Sequence, residues 1–177
     1  MRVFLFLALL LALPASGEAQ MTDLRVAAGC GPNKTQFSVK TESIQHAVKQ
    51  PEPGQAIVYV IVQGRPEGGE AKVTTRVGLD GNWVGANHGA SYVSFSVTPG
   101  EHRVCADWQS SLKSRQMLSG AADLTAEVGK TYYFRTEVVM SQATESHDER
   151  LSLKPVDAAE GMLLLSKSAQ SSSIIKK

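Results

Sequence analysis

The groups in this chain that could do chemistry are few. They are His46, His88, His102 and His147, the cysteines Cys30 and Cys105, and a generous supply of serines. A zinc site wants paired ligands at short spacing, and the nearest such pair is His102 with Cys105, three positions on. On a strand that spacing sends the two side chains to opposite faces, so no metal site is expected. A serine hydrolase would show a G-x-S-x-G elbow and a base within reach of it. The chain has no such elbow, and Glu101 and His102, as strand neighbours, point apart. Asp80 looks chemical, but an Asp-Gly pair has a turn to make. There is no G-x-G-x-x-G opening a helix and no P-loop lysine. No catalytic residue and no cofactor is expected, and the chain reads as a non-enzyme.

The aromatics could bind. Alternation puts Trp83, Tyr92 and Tyr133 on or near outward faces, and Asn82, Asn87 and His88 lie close by in sequence. Trp and Tyr combine an apolar body with a polar tip, which suits stacking on a sugar ring or a peptide. Possible binding residues are therefore Trp83, Asn87, His88 and Tyr92, with the Gly- and Asn-rich stretch 85–89. The alternative is that the N-terminal segment or the second sheet covers these rings, and the general burial of aromatics favours it. Asn33-Lys34-Thr35 also matches the glycosylation sequon, a short pattern that is frequent by chance.

The elements that must position these residues centre on residues 91–108, SYVSFSVTPGEHRVCADW. Val93, Phe95 and Val97 alternate with Tyr92, Ser94 and Ser96, the period of a half-buried strand. His102, Val104, Ala106 and Trp108 alternate likewise with Glu101, Arg103, Cys105 and Asp107. Thr98-Pro99-Gly100 reverses the chain between them, and the spacing predicts a hairpin. QAIVYVIV at 55–62 is apolar throughout and predicts a central strand covered on both faces. Val73, Thr75, Val77 and Leu79 alternate with Thr74 and Arg76, and Asp80-Gly81 then predicts a tight hairpin into Asn82 to Gly85. Further strands are expected around 124–128, 131–140 and 151–156. Asp157 and Glu160 have the spacing of a helix start, and Met162 to Leu165 would give a short helix its apolar side. The fold class expected is all-β: an antiparallel β-sandwich of about eight strands with a short C-terminal helix.

Residues 1–19 read as a signal peptide. Arg2 precedes an apolar run from Val3 to Leu13, too short for a membrane span, which needs about 20 residues. Small residues at Ala15-Ser16-Gly17 and Gly17-Glu18-Ala19 allow cleavage after Gly17 or after Ala19. Residues 20–54 read as an N-terminal extension, 55–165 as the sandwich and 166–177 as a disordered tail. With 18 Lys and Arg against 17 acidic residues, the chain lacks the basic surplus of a nucleic-acid binder. Export to the periplasm or beyond, with no stable membrane insertion after cleavage, is the expected localisation.

Export also favours oxidation of the two cysteines. Cys105 lies on the polar face of its strand, and Cys30 sits in a Gly-Cys-Gly stretch of a segment too polar to fold alone. A Cys30–Cys105 disulfide would fasten that segment across the outer face of residues 91–108. Closing a loop of about 75 residues stabilises by roughly 4.5 kcal/mol on the chain-entropy account.

Four pieces, GQAIVYV, LDGNWVG, TPGEHRVCADW and VGKTYYFR, occur in an order that resembles a bacterial family of exported proteins, the domain of unknown function 2846. The resemblance covers roughly residues 54–161 and implies a β-rich envelope protein with no established activity or catalytic residues to carry over. LDGNWVG and PGEH also resemble small surface-layer β-sandwich repeats. Two functions remain in view. One is an exported non-enzymatic domain that binds or supports an envelope protein or glycan. The other is a small-molecule or glycan-binding module using exposed aromatics, which a contiguous aromatic patch would favour.

Overall fold

The computed structural model describes residues 30–42, 48–63, 73–109, 118–140 and 149–177. Residues 1–19, expected to be a signal peptide, and His46 and His147 lie outside the described residues. Within them run ten strands and one helix: β1 (Phe37–Glu42), β2 (Ala56–Val62), β3 (Thr74–Leu79), β4 (Asn82–His88), β5 (Ser91–Val97), β6 (Gly100–Gln109), β7 (Ser119–Ala126), β8 (Thr131–Met140), β9 (Glu149–Val156), α1 (Ala158–Ser166) and β10 (Ala169–Ile175). They make a β-sandwich-like fold of two sheets. The larger has the order β1-β10-β5-β2-β8-β9, the smaller β4-β3-β6-β7.

The unbroken apolar run of β2 sets the layering. Ala56, Val58 and Val60 face the smaller sheet and join Val93, Val97, Phe134, Leu151 and Leu153 against Val77, Val104, Ala106, Leu124 and Ala126. Ile57, Tyr59 and Ile61 face the other way and pack with Tyr92, Tyr133 and Leu165 beneath α1. Each fully buried Val, Ile or Leu contributes about 1.5–3 kcal/mol of transfer free energy. A strand with two buried faces belongs in the middle of a sheet, and β2 lies between β5 and β8. It pairs antiparallel with β5 from Ala56↔Val97 to Val62↔Ser91 and parallel with β8 from Ile57↔Thr131 to Val62↔Thr136. The chain supplies the long crossover a parallel pair needs by passing through β3 to β7 first.

Residues 91–108 do not form a hairpin. β5 and β6 belong to different sheets, and the 98–100 connection carries the chain across the sandwich. Both edges of β5 are occupied, by β2 and β10, and both edges of β6 by β3 and β7. The two strands therefore face each other through side chains: Val93 and Val97 lie opposite Val104 and Ala106 in one core. The Asp80-Gly81 hairpin forms as its residues require, with φ of 50° and 81°, and its return strand runs on to His88.

The ends of the chain differ from expectation. The tail at 166–177 is not disordered, because Ala169–Ile175 is β10. The compact fold also begins before residue 55, since β1 pairs with β10 from Phe37↔Ile175 to Glu42↔Gln170. β10 joins β5 in parallel only at Ala169↔Ser91 and Gln170↔Tyr92. Beyond that its serines make the contacts. The Ser171 hydroxyl donates to Ser91 Oγ at 2.7 Å, and Ser173 Oγ accepts from the Ala86 N–H at 3.0 Å. The polar serine run is thus a strand whose side chains complete hydrogen bonds to β5 and at the edge of β4.

The helix starts as its sequence demands, Asp157 Oδ1 accepting from the Glu160 N–H at 2.8 Å. Its apolar side is narrower than expected. Leu165 is buried and Leu164 packs beside it, while Met162 and Leu163 are exposed. No helix among the described residues is long and apolar enough to cross a membrane.

At the sheet-to-sheet crossing Gly100 holds φ at 135° with open space where a Cβ would stand. Only backbone strain opposes a side chain there, so Gly100→Val should destabilise the fold by roughly 1–3 kcal/mol. Urea unfolding checks this, and an unchanged midpoint would show that the crossing relaxes to another conformation.

Candidate functional site

The outer face of the smaller sheet carries an organised polar cluster among the described residues. Register puts Arg76 of β3 directly opposite Asp107 of β6, and Gly78 opposite Cys105. On a half-covered sheet such a charged pair would normally face water. Here Arg76 is only 1% exposed, because residues 30–36 run over it as a strap.

Each strap contact answers a specific need. One Arg76 guanidinium nitrogen, Nη2, donates to Asp107 Oδ2 at 2.7 Å; the other, Nη1, donates to the carbonyls of Thr35 at 2.7 Å and Asn33 at 3.2 Å. The guanidinium carbon lies 4.4 Å from the centre of the Trp83 ring, a cation–π contact in a desolvated setting. Trp83 in turn donates from its indole Nε1 to the Pro32 carbonyl at 3.0 Å. A Cβ at position 31 would stand 2.6 Å from that same nitrogen, so only glycine lets the strap lie flat on the indole.

The strap is tied at its start by the Cys30–Cys105 disulfide, with a Cα–Cα separation of 5.6 Å. Gly78 makes room for the bridge, since a Cβ there would meet the Cys30 carbonyl and stand 2.9 Å from Cys105 Sγ. At the far end the Gln109 side chain grips the backbone of Phe37. Its Oε1 accepts from the Phe37 N–H at 2.6 Å and its Nε2 donates to the Phe37 carbonyl at 3.1 Å. Burial pushes the Asp107 carboxyl above its ordinary value, and the Arg76 charge offsets only part of that shift.

A second polar clip closes one end of the sandwich. His102 donates from Nδ1 to Asp80 Oδ2 at 2.7 Å and from Nε2 to the Thr98 carbonyl at 2.8 Å. Both partners are acceptors, so the arrangement favours the doubly protonated, charged imidazole, which can donate to both. Burial pulls His102 down, but Asp80 and the Thr98 carbonyl outweigh it and leave the ring above its ordinary value. Burial pushes Asp80 up, but the Arg103 N–H and His102 outweigh that and hold the carboxyl below the usual range.

The four possible binding residues do not share a face. Trp83 is half-buried under the strap. Asn87 has no exposed surface; it points between the sheets, where Nδ2 donates to the Val60 carbonyl at 3.1 Å. His88 accepts or donates at Thr74 Oγ1, 3.1 Å from its Nδ1. Tyr92 is buried on the helix side, its ring centre 5.8 Å from that of Tyr59. Trp83 and Tyr92 thus lie on opposite sides of the sandwich. The third aromatic assigned an outward face, Tyr133, is buried there too, stacked on Tyr59.

Comparison with known proteins brings no relative. No family model, no curated protein and no solved structure matches this chain. Among the described residues no group of three or more His, Cys, Asp or Glu side chains is placed to hold a metal ion.

Arg76 and the Asp80–His102 clip were not read from the sequence. A single arginine in an alternating strand reads as a solvated position, and only the register with Asp107 distinguishes it. His102 continues the inward row of β6, and that position is the one signal that it serves the fold.

The clip predicts a pH dependence. A raised His102 contributes fully below the unfolded value near 6.5 and is lost as pH rises through its folded value. A lowered Asp80 contributes fully above about 3.9 and is lost as pH falls through its own. His102→Gln should therefore cost about 1 kcal/mol near pH 5.5 and markedly less near pH 8.5. Urea titrations of both proteins at the two pH values test this, and an equal gap at both contradicts a charged clip.

Proposed function

We propose that this chain is an exported, non-enzymatic β-sandwich protein that binds or supports other components of the cell envelope. A disulfide-bonded β-rich domain fits a secreted protein, and the signal-like segment at 1–19 makes the periplasm or the exterior the proposed compartment. Membership of the exported β-rich family it resembles is part of the same proposal.

The observation that carries the reading is how the reactive side chains are engaged. His102 is held by Asp80 and Thr98, His88 meets Thr74, and Ser91 is hydrogen-bonded to both His88 and Ser171. Both cysteines are bridged. Among the described residues, these histidines, Ser91 and the two cysteines each support a turn, a sheet edge or a strand crossing. The glycan-binding alternative would want Trp83 and Tyr92 on one accessible surface, and their placement on opposite sides favours the supporting role.

Affinity capture from envelope extract with the mature, oxidised protein tests the proposal. We expect one defined envelope component to be retained by the native protein and lost after thermal unfolding of the bait. Absence of any fold-dependent retention, or turnover of an ester or peptide substrate by the purified protein, would contradict it.

A further inference from the structure

We propose that the Cys30–Cys105 bridge is a redox latch, whose reduction frees residues 30–35 and uncovers the Arg76–Asp107–Trp83 face while both sheets stay folded. The placement of the strap argues for this. Neither apolar cluster contains a residue before Ala56, so the strap contributes nothing to the cores that hold the sandwich together. Among the described residues, its polar and covalent hold on the smaller sheet consists of the bridge, two carbonyl contacts to Arg76 and one to Trp83. The Lys176 N–H on the Gln36 carbonyl at 2.8 Å, the Gln109 clamp and the β1–β10 ladder fix the chain from Gln36 onwards, so release stops there. Arg76 keeps Asp107 as its partner when the strap leaves. An ion pair meeting water is an ordinary surface feature, which is why the exposed face can persist.

The step is thiol–disulfide exchange with a dithiol reductant. Its first thiolate attacks Cys30 Sγ, since Cys30 is half-buried and Cys105 buried, and Cys105 leaves as a thiolate that takes a proton. The second thiol of the reductant then displaces Cys30 as a thiolate, which also takes a proton, and the reductant ends as a cyclic disulfide. Two electrons pass from the dithiol to the bridge.

Hydrogen–deuterium exchange read by mass spectrometry on the full exported protein tests the latch, comparing oxidised protein with protein treated with dithiothreitol under native conditions. The Thr35 N–H, held by the Pro32 carbonyl at 3.1 Å, reports on the strap. We expect amides in 31–35 to exchange at least tenfold faster after reduction, with β2, β5 and β8 unchanged. A Cys30→Ser/Cys105→Ser variant should show the same pattern without reductant. Unchanged exchange in the strap overturns the proposal, as does acceleration of β2, β5 and β8 along with it. A bridge that resists the dithiol while the protein remains folded overturns it too.

Discussion

The guanidinium of Arg76 is the constraint on which the outer half of this molecule depends. A buried arginine must find acceptors for its donors, or the fold bears the full cost of desolvating them. Asp107 accepts from Nη2, and the Asn33 and Thr35 carbonyls of a strap with little apolar content of its own accept from Nη1. The buried Nε has no hydrogen-bond partner among the described residues and bears that cost. That arrangement explains several features at once. The strap needs no hydrophobic sequence because its carbonyls are what the sheet requires. Gly31 and Gly78 are needed because the approach is too close for a Cβ. Trp83 covers the charge from one side, and the disulfide holds the strap where its carbonyls are in reach.

The larger sheet follows a different logic. β2 buries both its faces, so it needs a strand on each edge and a layer on each side. β5 and β8 meet the first need, and the smaller sheet and α1 meet the second. The termini then close the structure. β1 and β10 pair with each other, and both also lie against β4, so the strand edges of the two sheets are covered where they come together. Edge strands with unmet backbone groups invite pairing with other chains. Here Ser173 and Gln109 satisfy such groups with side chains.

The sequence shows the parts of this fold that rest on local rules. The alternation of β3, β5 and β6, the doubly buried β2, the Asp80-Gly81 turn, the Asp157 cap and the disulfide can all be read without coordinates. Each is fixed by residues near one another or, for the bridge, by there being only two cysteines. What could not be read rests on long-range choices. Pro99-Gly100 tells that the chain reverses but not which sheet each arm joins, so a sheet-to-sheet crossing looks like a hairpin. Ser171 and Ser173 look like a disordered tail because their value lies in hydrogen bonds to β5 and β4, 80 positions away in sequence for Ser171 and Ser91 and 87 for Ser173 and Ala86. Tyr92 and Tyr133 sit on outward faces by alternation, and only the helix that lands on them makes them core. Arg76 is the same case in charged form.

A double-mutant cycle on Arg76 and Asp107 tests the central claim most directly. Arg76→Met and Asp107→Leu, made singly, each leave a charge without its partner in a site closed by the strap, and each should cost about 3–5 kcal/mol in urea unfolding. Combined, they remove both charges, and the loss should fall short of the sum by about 2 kcal/mol or more. Single losses under about 1 kcal/mol that add to within about 0.5 kcal/mol would mean the pair is solvated and independent. Arg76 would then not be what the strap is built to cover.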